Sequence, residues 1–305
     1  MAYKCNRLRV LGAKIETTAG TAEAITASEA TVPVFNLTYP ENTTCTRREN
    51  VSGGKLKGRR GPLIAQMSFD VEAMGLGSSG DPAWATTFLP PCGFVGSTGV
   101  YTYTRVYANQ KTLTLKSFID GQYRLIHGAA GAVRLTYNAG GISYFNFTFT
   151  GIANAVAETS NISPTLITPQ PLLGATIFTY HNGSGAVTLT GPSGVIDWGC
   201  VVQPIEDPST DGFRQFCVSD FNPIMTCEPY GEAMSVIDFD GDWTANAERA
   251  VQLKMGSGTG GTAIDINATK ATHSSAPSWG ERGRLVTRGL NLDFNDDLAP
   301  TISFL

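Results

Sequence analysis

The chain is 305 residues long and weighs 32.4 kDa, enough for one large core or two ordinary ones. Only 16% of residues are charged and Gly (34) outnumbers Lys plus Arg (22), which excludes a coiled coil, a collagen and an acidic disordered chain. The net charge of −4 argues against a nucleic-acid binder of the usual basic kind, but the charge is uneven: residues 1–150 carry a net of +6 and residues 151–305 a net of −10.

In chain order, residues 7–15 read as a short strand and the small, polar stretch 17–31 as a loop or arm. A β segment begins at 32–39. From 41 to 61 runs a long polar excursion with Ser-Gly-Gly at its middle, which reads as a protruding hairpin or a mobile loop. It holds six basic residues: Arg47, Arg48, Lys55, Lys57, Arg59 and Arg60. Residues 63–74 then alternate cleanly. Leu63, Ala65, Met67, Phe69 and Val71 share one face, while Ile64, Gln66, Ser68, Asp70 and Glu72 share the other. That pattern predicts a strand with one face in a core and one wet.

Residues 81–90 predict a short helix, with Asp81 as cap and Pro82 at the first helical position. Trp84 and Phe88, four apart, should share the face that covers the sheet. Pro90-Pro91 ends the helix. Three β segments follow, at 100–107, 111–126 and 132–150. Asp120-Gly121 turns the second into a hairpin, and Asn138 to Gly141 turns the third. This leaves an aromatic strand in which Phe145, Phe147 and Phe149 oppose Tyr144, Asn146, Thr148 and Thr150.

Residues 151–172, with Pro164, Pro169 and Pro171, form the natural linker. Beyond it the order of features partly repeats. A hairpin is expected at 174–180 and 185–190. The segment 195–204 stands where 32–40 stood, and 213–227 where the 63–74 strand stood. A short helix at 242–249, capped by Asp242, echoes Asp81 and Trp84. Strands at 251–255, 262–268, 284–294 and 301–305 complete the chain. The economical expectation is two similar β domains, each with a short Trp-bearing helix.

Chemical motifs are sparse. Residues 75–80 match Gly-x-Gly-x-x-Gly after a strand, but the next helix is short and the next acid after Asp81 is Asp120. A dinucleotide fingerprint needs a crossover helix and an acid about 20 residues on, so an ordinary turn is the better reading. Residues 256–261 simply join two strands. From Asp238, an EF-hand loop would place Trp243 and Arg249 where Gly and Glu belong. An irregular metal site on Asp238, Asp240 and Asp242 is the alternative to turn and cap acids. His127, His181 and His273 are isolated, and neither a zinc cluster nor a nucleophile elbow occurs, so no enzyme, metal or cofactor is expected.

Six cysteines without a Cys-x-x-Cys pair suggest reduced thiols in a cytosolic product. The seven Asn-x-Ser/Thr sequons read as chance matches. No apolar run suits a leader or a membrane span. The basic excursion lacks interleaved aromatics, which speaks against a nucleic-acid patch. It reads either as a solvated loop or as a subunit-contact arm docking on an acidic neighbour, which the charge split would suit.

Several segments, in order, resemble the tail tube (major tail) protein of long, non-contractile-tailed bacteriophages. They are the opening from Leu11 to Glu23, then Val34-Phe-Asn-Leu-Thr-Tyr-Pro, the basic excursion, and Gly58-Arg-Arg-Gly-Pro. Ala65 to Glu72, Pro82-Ala-Trp, Cys92-Gly-Phe, Lys111-Thr-Leu-Thr-Leu, Asp120-Gly, Gly128 to Leu135, Ala139-Gly-Gly-Ile and Phe147-Thr-Phe-Thr-Gly follow. The second half is similar more loosely, through Asp240 to Trp243, Ser278 to Gly283 and Leu290 to Phe294.

The resemblance implies a mainly β fold of two tandem β-sandwich or split-barrel tube domains, each with a flanking helix. These would be 1–155, including the extended 41–61 loop, and 173–305, joined by a linker at 156–172. It implies a non-enzymatic virion protein that self-associates into rings, stacked as a hollow tail for DNA passage and assembled in host cytoplasm. Two tube domains per chain would let three copies make a pseudo-six-fold ring. The expected partners are copies of the chain, the tape measure, tail terminator and distal tail proteins, and transient DNA, with no membrane. On this reading Arg47, Arg48, Lys55, Lys57, Arg59 and Arg60 are candidate contacts between rings, with the 17–31 loop as a second candidate span. Ser68, Asp70 and Glu72 are candidate lumen-facing residues. The alternatives are another virion β-protein, such as a terminator or capsid decoration, and a β-sandwich binding module.

Overall fold

The computed structural model describes residues 9–42, 45–49, 55–60, 63–75, 81–138, 140–154, 156–160, 162–167, 172, 177–182, 185–190, 193–207, 212–256, 263–295 and 300–305. The fold is mainly β, 56% strand and 9% helix, built on one large sheet. Its strands begin with β1 (Arg9–Ile15), β2 (Phe35–Thr38), β3 (Glu41–Asn42), β4 (Cys45–Glu49), β5 (Lys55–Arg60) and β6 (Ile64–Glu72). After helix α1 (Ala83–Phe88) come β7 (Phe94–Ser97), β8 (Val100–Tyr103), β9 (Leu113–Ile119), β10 (Gln122–Asn138), β11 (Tyr144–Ala153) and β12 (Ala157–Glu158). Next are β13 (Ile177–His181), β14 (Ala186–Leu189), β15 (Ser193–Asp197), β16 (Val201–Asp207), β17 (Gly212–Asp220) and β18 (Ile224–Cys227). Helix α2 (Phe239–Thr244) precedes β19 (Arg249–Gly256), β20 (Ala263–His273), β21 (Ser278–Arg282), β22 (Leu285–Phe294) and β23 (Thr301–Phe304).

Alternation decides which face is buried. Along β6 and β11 every second residue is buried, so Met67, Phe69 and Val71 join Phe145, Phe147 and Phe149 in the core. Trp84 and Phe88 of α1 close over these rings, with Trp84 4.6 Å from Phe145 and Phe88 5.0 Å from Phe69 between centroids. Each such side chain contributes about 1.5–3 kcal/mol when fully buried. The Trp84 indole donates to the Met74 carbonyl at 2.9 Å, which satisfies its one polar atom.

The helix termini differ from expectation. α1 starts after Pro82, and Asp81 instead accepts the Tyr101 hydroxyl at 3.1 Å. α2 begins before Asp242, because Asp238 supplies the cap by accepting from the Gly241 amide at 2.8 Å. Trp243 is 38% exposed whereas Trp84 is 2% exposed, so the two helix tryptophans do different work.

The order of ladders recurs. In the first half β1 pairs with β9, β9 with β10, β10 with β11, β11 with β6 and β6 with β2. In the second, β13 pairs with β19, β19 with β20, β20 with β22, β22 with β18 and β18 with β15. Each set also carries a short helix before its fourth strand and a separate two-stranded hairpin before its third, β4–β5 in one and β16–β17 in the other.

Two boundaries move as a result. The segment 213–227 divides at Phe221-Asn-Pro223 into β17 and β18, and only β18 occupies the place that β6 holds in the first half. Residues 195–204 likewise divide, with β15 in the place of β2 and the remainder in β16. The two halves are joined by β10 pairing with β15, from Arg134 opposite Asp197 to Asn138 opposite Ser193, and by β23 pairing with β8. One apolar cluster runs through both, with Trp198 lying 6.1 Å from Phe94 and 6.3 Å from Phe145.

Candidate functional site

The large sheet turns one face toward solvent, and polar residues of several strands share it. Ser68, Asp70 and Glu72 all lie on it, half-exposed, because β6 turns its odd-numbered residues inward. Asp70 is held from both sides, accepting from Asn36 Nδ2 and Asn146 Nδ2 at 2.6 Å each. Ser68 meets Thr148 at 3.2 Å, and Thr136 donates to Asn146 at 2.8 Å. These bonds run across the strands and tie neighbouring ladders together on the polar side.

The pairing of β10 with β15 carries this surface from one half of the chain into the other. In register with Phe35 of β2 and Asp70 stand Asn146, Arg134, Asp197, Ile224, Asp293 and Thr272, one from each of eight consecutive strands. The next row holds Glu72, Tyr144, Thr136, Val195, Thr226 and Asn291. Across the two rows Asp70, Glu72, Asp197 and Asp293 face one guanidinium, Arg134, and the rest are neutral. Such a surface is hydrated and, on balance, repels phosphate.

The six basic residues fall on β4 and β5, whose register sets Thr46 opposite Arg59 and Arg48 opposite Leu56. The excursion is therefore a hairpin. Its side chains and the segment 50–54 lie outside the described residues. By contrast, the 17–31 segment is fastened to the body. Ile25 and Ala30 are buried, the Glu23 backbone amide donates to the Thr114 hydroxyl oxygen at 3.0 Å, and Lys14 pairs with Glu23 at 3.2 Å.

The second hairpin, β16–β17, was hidden in the sequence and lies across the first half. Gln110 brackets Val218, donating to its carbonyl at 2.9 Å and accepting from its amide at 3.1 Å. Gln215 donates to the Tyr107 hydroxyl at 2.5 Å, and Phe221 stacks on Tyr103 at 3.8 Å. Phe216 and Val218 are buried with Tyr103 and Ala130. Gly20 and Gly128, both with positive φ, permit this approach, since a Cβ on Gly20 would strike the Arg214 carbonyl.

Two buried polar clusters were also missed. Glu16 is 6% exposed and accepts from the Gly20 and Gly128 amides at 2.7 and 2.6 Å and from Thr112 and Thr114 at 2.7 and 2.9 Å. Four donors account for a buried carboxylate as a structural anchor. Around α2, Asp242 receives the Tyr180 hydroxyl at 2.9 Å and a fork from Arg249, while Tyr180 lies 3.1 Å from His273 Nε2. Asp238 caps the helix and Asp240 pairs with Arg288, so the three aspartates have separate partners. Among the described residues no group of three or more potential ligands is placed to hold a metal ion.

Near this second cluster a hollow of about 330 Å³ is lined by Met234, Phe239, Trp279 and Arg288. The Arg288 guanidinium stacks 4.0 Å from the Trp279 ring, and the residue is 4% exposed. Burial raises the thiol pKa of Cys92, Cys200 and Cys227, and all three are free, as is Cys217. Thiols held protonated in this way are poor nucleophiles. Among the described residues no helix is long and apolar enough to cross a membrane.

No protein-family model matches the chain, and no curated protein matches it at a significant level. The functional reading therefore stands on the geometry of the sheet and its hairpins.

Proposed function

We propose that the protein is the tail tube subunit of a long, non-contractile phage tail, contributing two tube units per chain to stacked rings around a DNA channel. The observation that carries this reading is the join between β10 and β15, which fuses two runs of identical ladder order into one sheet with a continuous polar face. A join of this kind inside the chain is a template for the join between chains. Repeated head to tail, it closes by rotation into a ring. It also pairs the backbone groups that a sheet edge would leave open.

The dimensions fit. Eight strands per copy and three copies give about 24 strands, which at about 4.8 Å apart make a circumference near 115 Å and a diameter of about 37 Å for strands along the axis. Subtracting inward side chains leaves room for a DNA duplex. Ser68, Asp70 and Glu72 would line that channel, and a face whose four carboxylates outnumber its one guanidinium would let DNA slide without holding it. Arg47, Arg48, Lys55, Lys57, Arg59 and Arg60 would serve contacts between copies. The tape measure, terminator and distal tail proteins would be its other partners in the virion.

Negative-stain images of the purified protein test the proposal directly. Rings with pseudo-six-fold symmetry built from three chains, stacking into tubes, are expected. Rings that never stack would move the assignment to a terminator or decoration protein. Monodisperse particles of one chain at all concentrations would overturn it.

A further inference from the structure

From sequence alone, the basic hairpin is expected between stacked rings. The repeat of ladder order, joined to the observed seat of the second hairpin, points elsewhere. Building on the proposed ring, we infer that hairpin β4–β5 of one copy lies sideways across the second half of the neighbouring copy in the same ring.

β4–β5 leaves the chain between β2 and β6, and β16–β17 leaves it between β15 and β18, the strands with matching places in the two ladder orders. β15 and its hairpin meet the same neighbour. β15 pairs with β10, and β17 rests on the first half through Gln110, Tyr103 and Ala130. If β2 meets the β20 side of a second copy as β15 meets β10, its hairpin falls on that copy's second half.

Burial supports a vacant seat there. In register, Arg134 of β10 corresponds to Thr272 of β20. On the hairpin side Ala130 of β10 is buried beneath β17, whereas in β20 Ala268 turns into the core and Asn267, Thr269 and Lys270 beside it are exposed.

Charge supports the same exchange with its sign reversed. The β16–β17 hairpin carries Glu206, Asp207, Asp211 and Asp220 against Arg214, a net of −3, and sits on a half that is close to neutral, a net of +1, once its own hairpin is left out. The β4–β5 hairpin carries its six basic residues against Glu49, a net of +5, and would sit on a half whose net without its own hairpin is −7. Complementary fields of this kind fix which surfaces meet and in what register. A hairpin seated sideways closes rings. One seated axially only stacks them.

The quadruple variant R47E/R48E/R59E/R60E separates these outcomes. Its folding is checked by far-UV circular dichroism, with ring content read by analytical ultracentrifugation. A folded variant that stays monomeric where the parent forms rings is expected. Rings that close normally but fail to stack would overturn the sideways seat and leave the tube assignment standing. A parent that never forms rings would remove the tube assignment itself, and this inference with it.

A photoreactive phenylalanine analogue in place of Leu56 gives a second readout on otherwise unaltered protein. Cross-links to peptides from 249–295 of another copy, in isolated rings as well as tubes, are expected. Cross-links found only in stacked tubes, or only to residues before 150, would overturn the proposal.

Discussion

At the scale of single residues, the buried polar groups divide into those fully satisfied by the fold and those, His273 among them, that keep an atom without a partner. Glu16 has a donor for each of its carboxylate lone-pair directions, so its burial needs no ligand. His273 is different. The one proton of the Tyr180 hydroxyl goes to Asp242, so His273 donates from Nε2 and leaves Nδ1 as a bare acceptor. That Nδ1 is buried without a partner.

Burial is the main cause that lowers the His273 pKa, with Arg288 adding to it and Asp242 and Asp240 opposing. The folded protein therefore holds His273 neutral at pH values where the unfolded chain protonates it. Its contribution to stability is complete above the ordinary histidine value of about 6.5 and is lost as pH falls toward the lower folded value. The loss from this group cannot exceed about 1.4 kcal/mol per pH unit. Urea midpoints taken from pH 7.5 down to 5.5 should fall in the parent and fall less in His273→Gln. Parallel curves would mean that another group carries the acid sensitivity.

At the scale of elements, local chemistry was legible and distant pairing was not. The alternation of 63–74 gave β6 to within a residue or two, and the aromatic alternation separated the two faces of β11, of which the phenylalanine face is the buried one. Asp120-Gly121 turns as expected, with φ of 41° and 76°, the left-handed pair that a tight hairpin demands. These signals sit within ten residues of one another. The β10–β15 join brings together strands about 60 residues apart, and nothing in either sequence specifies its partner. β21 escaped notice because Ser278–Arg282 is exposed at nearly every position and shows no alternation. The wet face of β6 could therefore be named from sequence, but not the row that extends it across eight strands.

The join can be tested through Gly194, which stands opposite Tyr137 of β10 and Cys227 of β18. A Cβ there would press against the Thr226 carbonyl oxygen and the Tyr137 hydroxyl. Gly194→Val should cost about 1–3 kcal/mol or more, as overpacking does in a filled interior. Hydrogen exchange localises the effect. Faster exchange at β15, β18 and residues 134–138, with the β9–β10 hairpin still protected, is expected. Uniform loss of protection would mean that the join does not open separately from the rest of the sheet.

At the scale of the whole molecule, the charge split and the sheet describe two different surfaces. The basic excess of the first half owes much to the β4–β5 hairpin, which stands outside the large sheet, whereas the two rows on the wet face of that sheet carry four carboxylates against the single cation Arg134. A protein that carries DNA through its centre needs this separation, since lysines and arginines facing the channel would trap phosphates. Reversing it should create the trap.

Glu72 and Asp293 lie on the wet face, and neither is tied into a side-chain hydrogen bond like those that hold Asp70. The double variant Glu72→Lys/Asp293→Lys should therefore fold and assemble as the parent does. Anisotropy of a labelled duplex, measured over a range of salt concentrations, then reads the surface. The parent should bind weakly, and the variant should bind more tightly, with a logarithmic salt slope steeper by up to about 2, close to 0.9 for each phosphate newly contacted. Equal slopes in assembled tubes would place this face away from the channel.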